Sequence, residues 1–169
     1  MSDKREKLAA EIEAALPHFT GTEEYHRIRY PDLLSKSLRK DFLLTDGAKY
    51  LADTAGTIGG TAYWLIDIIA SHQQNTQVAA EGFQTWKLYV NHEEAGKPEP
   101  DPEQSLPAAV LDWKQRSRLN EGLVTCEDGN GHNLVTQGIP FADFALDEVR
   151  LYVTSDDFNG IVVMLPSEY

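Results

Sequence analysis

The chain has 169 residues, 41% of them apolar, with three Trp and a net charge of −12. That length suits one domain with its own core, and the apolar content excludes a disordered chain. The longest apolar run, Ala62–Ala70, is broken by Asp67 and falls far short of the roughly 20 residues that cross a bilayer. The single cysteine excludes an internal disulfide framework.

Charge is divided unevenly. Residues 1–50 hold nine Lys/Arg and nine Asp/Glu, so residues 51–169 carry the whole −12 with six bases and eighteen acids. Such a surface repels nucleic-acid phosphates and suits a basic partner or plain solubility. The N-terminus alternates charges and has no apolar signal core, so a soluble cytoplasmic protein is expected.

Lys4–Leu16 reads as a first helix with Leu8, Ile12, Ala15 and Leu16 on one stripe, ended by Pro17. His18–Asp41 is mixed, with a basic cluster at Lys36, Arg39 and Lys40 and a short helix around Asp32–Arg39. Thr45 is a natural N-cap for a second helix, in which Ala48, Leu51, Ala52 and Ala55 recur at helical spacing before Gly56 as a C′ residue. A third helix from Thr61 or Ala62 to about Gln74 is apolar nearly all round and is expected to be central and buried.

After Gly82 the period changes to two. Trp86, Leu88 and Val90 alternate with Thr85, Lys87 and Tyr89 as a half-buried strand. His92–Pro107 carries Pro98, Pro100, Pro102 and Pro107 among acids and reads as an exposed connection. Pro107 can open a short helix with Leu106, Val110 and Trp113 on one face, although a strand fits the same residues. Leu123–Cys126 and Asn133–Ile139 flank Asp128-Gly129-Asn130-Gly131, a hairpin signal because these residues tolerate positive φ. Val149, Leu151 and Val153 mark another strand, and Asn159-Gly160 turns into a last one at Ile161–Leu165.

Helices first and strands afterwards predict a single α+β domain over residues 1–169, with N-terminal helices packed on one face of an antiparallel sheet meander. The helical part covers about 1–76 and the sheet part about 83–169, with an exposed Pro- and acid-rich segment at 92–107.

The order of LTDGAKYLADTAG, AYWLIDIIASHQ, FQTWKLYV, CEDGNG, DFALDEVRLYV and MLPSEY resembles an uncharacterised family of small bacterial, plasmid and phage proteins, over most of Phe19–Tyr169. Against that family's pattern, Thr57-Ile58-Gly59-Gly60-Thr61 and the segment around Glu99–Asn120 are extra. The resemblance implies a mobile-element setting and carries no activity or catalytic residue.

Several features invite a chemical reading. Asp67 lies one helical turn from Tyr63 and from Ser71, so the three are read as a possible buried polar site. A buried carboxylate needs a partner, for which Tyr63, Ser71 or Lys49 are available. The Gly56–Thr61 turn precedes a helix, where free N–H groups hold anions, but it follows a helix and lacks the Lys-Ser/Thr of a phosphate loop.

Cys126 and His132 flank the hairpin turn, where Glu127 and Asp128 would raise the thiol pKa, so a buried strand cysteine is expected. Asp128-Gly129-Asn130-Gly131-His132 lacks the sixth-place glycine and the twelfth-place glutamate of a calcium loop. Glu127, Asp128, Asp143, Asp147 and Glu148 are read as a solvated rim rather than a cation site. His18, His26, His72, His92 and His132 lack zinc-site spacings, so no metal and no cofactor is assigned. Phe19, Tyr25, Tyr30 and Phe42 interleave with Arg27, Arg29, Arg39 and Lys40, and are read as anchors to the core rather than a stacking surface for nucleic acid.

No complete catalytic set appears, and no catalytic residue is assigned. The expected function is that of a non-enzymatic acidic interaction protein with a basic protein partner. Its concrete form is a mobile-element inhibitor of a host nucleic-acid-targeting defence system of restriction or CRISPR type, without direct nucleic-acid or membrane binding. Its contact acids would be Asp101, Glu103, Asp112, Glu127, Asp128, Asp147, Glu148, Asp156 and Asp157. The alternative is a small nucleotide-binding or metal-dependent enzyme with a pocket between helices and sheet, lined by bases from the N-terminal half. A homodimer through strands Trp86–Val90 and Ile161–Leu165 is a third possibility.

Overall fold

The computed structural model describes residues 2–30, 42–93, 106–156 and 160–169, with Ser2 and Asp156 in backbone only. The expected helix around Asp32–Arg39, the cluster Lys36, Arg39 and Lys40, and the acids Asp101, Glu103 and Asp157 lie outside the described residues.

Helix α1 spans Ser2–Ala15 and is followed by a 3-10 turn, Leu16–His18, where Pro17 interrupts the ladder. Helix α2 is Asp46–Thr54, α3 is Tyr63–His72, α4 is the short Thr76–Ala79, and α5 is Ala108–Arg116. The strands are β1 His26–Ile28, β2 Phe42–Leu44, β3 Phe83–Val90, β4 Gly122–Asp128, β5 Asn133–Ile139, β6 Glu148–Asp156 and β7 Gly160–Met164. They form one sheet in the order β1-β2-β7-β6-β3-β4-β5. All neighbours are antiparallel except β2 and β7.

The α+β class holds, but the sheet is not a simple meander. β3 sits between β6 and β4, and the three-residue β2 joins β7 in parallel. β1 and β2 had no signal because three residues are too few to show a period of two. β3 and β7 are each paired on both edges, so neither offers a free edge for pairing with a second copy.

Alternation along the strands decides the faces. Trp86, Leu88, Val124, Cys126, Leu151, Val153, Ile161 and Val163 turn to one face and meet Ile12 of α1, Leu51 of α2 and Leu65, Ile66 and Ile69 of α3 in the main core. The opposite face is covered at one end by α5, whose Val110 and Trp113 pack on Tyr89 and Leu123. Helices therefore lie on both faces, the N-terminal ones on one and α5 on the other.

Thr45 N-caps α2 as expected, accepting from the Ala48 N–H at 3.3 Å. The α2 N-terminus has a second cap, because Glu168 accepts from the Gly47 N–H at 3.1 Å and the Thr45 hydroxyl at 2.7 Å. Gly56 does not take the left-handed conformation of a C′ glycine; the described positive-φ glycines are Gly60, Gly131 and Gly160. Glycine is required there for a different reason: a Cβ would collide with the backbone of Thr61, whose neighbour Ala62 donates back to the carbonyl of Ala52 at 2.6 Å.

Candidate functional site: a strap, a glycine turn and a cleft

After β5, residues 140–147 cross the end of the sheet as a strap held from three sides. The Trp64 indole of α3 donates to the carbonyl of Asp143 at 3.2 Å. His92, just past β3, places Nε2 2.8 Å from the carbonyl of Phe144. Arg5 of α1 donates to the carbonyl of Ala145 at 2.8 Å. Three successive carbonyls are thus satisfied by three distant side chains, which meets the requirement that buried backbone acceptors be paired.

The carboxylate of Asp143 turns into the Gly56–Thr61 turn. It accepts from the Thr57 N–H at 2.8 Å, the Thr57 hydroxyl at 2.5 Å, the Ile58 N–H at 3.0 Å and the Gly59 N–H at 3.0 Å. Burial raises its pKa, yet these four donors outweigh burial and hold the carboxyl below its ordinary range. The turn, whose sequence favoured a plain inter-helix connection, does hold an anion, and that anion belongs to the chain. The rim position expected for Asp143 is corrected accordingly. Its partner turn lies 84–86 residues away, a pairing no local pattern signals.

Beside the strap, His92 places Nδ1 2.7 Å from Asp147 while its other nitrogen faces the Phe144 carbonyl. Both ring nitrogens of His92 thus face oxygen atoms, one of a side chain and one of the backbone. The bond to His92 is the main reason Asp147 sits below the usual carboxylate range, with Arg5 at 3.8 Å adding to it.

Between α1, the turn and the strap lies a cleft of about 650 Å³, lined by Lys4 and Arg5 of α1 and by His92 among others. Ile58, Leu119 and Phe141 stand at it with 71%, 43% and 54% of their surface exposed. These are three of the five large exposed apolar residues among the described ones, so the cleft concentrates the apolar surface.

The other expected site residues are scattered. Asp67 is exposed rather than buried, because it points outward from α3 while Leu65, Ile66 and Ile69 point in. Its partner is the Tyr30 hydroxyl at 2.6 Å, not Tyr63, Ser71 or Lys49. Burial, then this bond, pushes the Tyr30 phenol upward. Tyr63 instead donates to Asp53 at 2.5 Å, and Lys49 to the other Asp53 oxygen at 2.6 Å. Partial burial raises Asp53, but those two bonds leave it below its ordinary value. Ser71 donates to the Ile68 carbonyl within its own helix. The expected buried polar site of Asp67, Tyr63 and Ser71 is therefore not assembled.

The proposed contact acids fall at two ends of the sheet. Glu127 lies opposite Thr85 and Glu148 opposite Tyr89, four residues apart along β3, or about 13 Å. Asp128 is largely tied up in its own hairpin, accepting from the Asn130 and His132 N–H groups at 2.8 and 2.9 Å. Those bonds, the His132 N–H first, lower its pKa. Glu127 lies 3.7 Å from Lys87, and the exposed Asp112 pairs with Arg116 at 3.1 Å. Glu148 is exposed, and Asp156 pairs Gly160 at the far end of β6. Cys126 is buried, as expected, and burial followed by Glu127 pushes its thiol up to about 12.

Sequence reasoning missed a second polar feature, buried in the core. Gln73 and Gln84 exchange amide bonds at 2.9 and 3.0 Å, Trp86 donates to Gln84 at 2.8 Å, and Gln84 donates to the Val78 carbonyl at 2.9 Å. The two Gln side chains are 1% and 0% exposed. The clue was Gln84 falling in register with Trp86 and Leu88 on the apolar face.

Among the described residues no helix is long and apolar enough to cross a membrane. No curated protein and no solved structure matches the chain. The model of a family of unknown function, DUF6876, matches residues 10–169, and the chain belongs to that family.

Proposed function

We propose that the protein is a non-enzymatic acidic interaction protein that occupies a basic partner surface. The observation that carries this reading is the placement of charge, with the whole −12 arising in residues 51–169. The filled glycine turn supports it, because the anion-binding N–H groups that a phosphate-handling enzyme would use are already taken by Asp143. In its concrete form the partner is a nucleic-acid-binding complex of a host defence system of restriction or CRISPR type, engaged by Asp and Glu standing in for phosphates. Association would then be fast and would weaken steeply with salt.

The test is capture of partners from a host lysate at low and high salt, followed by charge reversal. Asp112 and Glu148 form one set, Glu127 and Asp156 the other, so that the two sheet ends are read separately. Asp128 and Asp147 are spared because their bonds hold local structure. Loss of a salt-sensitive partner in either set supports the reading. Retention of that partner with both sets reversed overturns it.

A second reading, a small-ligand or nucleotide-binding protein, is favoured by the cleft, whose volume lies in the range of ligand sites and whose wall carries Lys4 and Arg5. Thermal shift with nucleotides and divalent metals tests it, and a flat response removes it.

A further inference from the structure

The three exposed apolar residues at the cleft, Ile58, Leu119 and Phe141, sit on backbone that is pinned. The Ile58 N–H is bonded to both oxygens of Asp143, at 3.0 and 3.1 Å. Leu119 and Phe141 are chain neighbours of one bonded pair, in which the Asn120 carbonyl accepts from the Ala142 N–H at 2.7 Å. Asn120 is held further by donating its own N–H to the Asn91 carbonyl at 2.6 Å. Its φ of 66° is left-handed backbone, which asparagine tolerates better than most residues. The cleft is therefore built before any ligand arrives, which lowers the cost of binding one.

The polar groups lining it are unequally engaged. Arg5 donates to the Ala145 carbonyl and lies 3.8 Å from Asp147, and the Asp143 carboxylate is filled by its four donors. Lys4, exposed on α1, forms no ion pair among the described residues, and the Asn120 side-chain amide has no hydrogen-bond partner among them. Two polar groups of α1 and the β4 approach thus remain open beside three apolar ones.

We infer, resting on the small-ligand reading of this cleft, that its ligand is a small amphipathic carboxylate, an apolar body ending in one carboxyl group. The body covers Ile58, Leu119 and Phe141, and the carboxylate pairs with Lys4, with the Asn120 amide as a further donor. Charge limits the ligand to one anionic group. Glu6 and Asp143 also line the cleft, so a polyphosphate meets repulsion that one open ammonium does not offset. The N–H groups of the glycine turn that could hold a phosphate are occupied by Asp143. A concave volume of about 650 Å³ suits a small molecule rather than a flat partner surface.

Titration calorimetry with octanoate, octanol and ATP, together with amide NMR spectra of the full chain, tests this. Octanoate should bind one to one and shift the amides of Ile58, Leu119 and Asn120. Lys4→Ala should weaken octanoate about tenfold while changing octanol by less than about twofold. Phe141→Asp should weaken both by about tenfold or more. Ile58→Asp serves in its place should Phe141→Asp perturb folding. Octanoate that fails to bind, that shifts only amides away from the cleft, or that binds Lys4→Ala as tightly as the wild type overturns the proposal. Binding of ATP without octanoate overturns it too, but leaves the small-ligand reading standing, whereas no response to any of the three removes both. None of the acids reversed to test partner binding lines the cleft, so that proposal is decided separately.

Discussion

Asp67 and Gln73 lie six residues apart on and just after α3, yet they have opposite fates. At 3.6 residues per turn they are separated by about 240° around the axis. Asp67 faces solvent with Tyr30 as its partner, whereas Gln73, the C-cap, is locked against Gln84 beneath the sheet. An acid inside an apolar run looks like the buried polar group, but the ionisable residue takes the outer face and the neutral amide takes the core. A buried amide needs only hydrogen bonds, which Gln84 and the Ile69 carbonyl complete for Gln73, whereas a buried carboxylate also loses its charge solvation. The Asp143 nest stands between these cases, a carboxylate partly withdrawn from water because four donors replace it.

The contrast can be broken or sharpened by substitution. The largest effect is expected for Gln84→Ala, which leaves the Trp86 indole without its acceptor and Gln73 with only the Ile69 carbonyl, and opens a cavity; a loss of about 3 kcal/mol in denaturant unfolding is expected. A loss below about 1 kcal/mol would show that the network is dispensable. Gly56→Ala forces a Cβ into the Thr61 backbone and should cost about 2–3 kcal/mol, displacing the turn that holds Asp143.

Asp143→Asn keeps the shape but removes the charge from the nest, for an expected loss of about 2 kcal/mol at neutral pH. The sign follows from the depressed folded-state pKa. The nest contributes fully above the unfolded carboxyl value near 3.8 and loses its contribution as pH falls through the lower folded value. The wild-type advantage over Asp143→Asn should therefore shrink below about pH 4, and a pH-independent difference would refute the nest as a charge-dependent element.

Thr57→Ala removes one of the four donors and should cost about 1 kcal/mol. Asp67→Asn, at the exposed end of the comparison, should stay within about 0.5 kcal/mol. A larger change there would mean that Asp67 serves more than its bond to Tyr30.

Most of the fold was legible because its signals are local. Thr45 caps α2 where its side chain and the following apolar spacing required, and Asp128–Gly131 turns where small and turn-tolerant residues allow positive φ. β3 and β6 showed a period of two, β4 and β5 were marked by the turn between them, and β7 by the turn into a continuous apolar run. β1, β2 and the insertion of β3 between β6 and β4 were not legible, because strand order is settled by which faces meet rather than by any residue's preference. The candidate site was less legible still. Its glycine turn reads from the sequence as a plain inter-helix connection, because the partner carboxylate is more than eighty residues away, and the strap is bonded by Arg5, Trp64 and His92 from three separate elements.

What the sequence by itself determined is the class of the fold, the first three helices, the hairpin and the acidic balance of the second part of the chain. These follow from side-chain size, periodicity and charge, which act over a few residues or over the whole. What only the tertiary structure decided is which acids are free to meet a partner. Asp143, Glu168, Asp128 and Asp147 are drawn into internal donors, while Asp112 and Glu148 remain at the surface. The physical reason is that a carboxylate goes wherever unpaired N–H groups or cations await it, and only the folded chain places those donors.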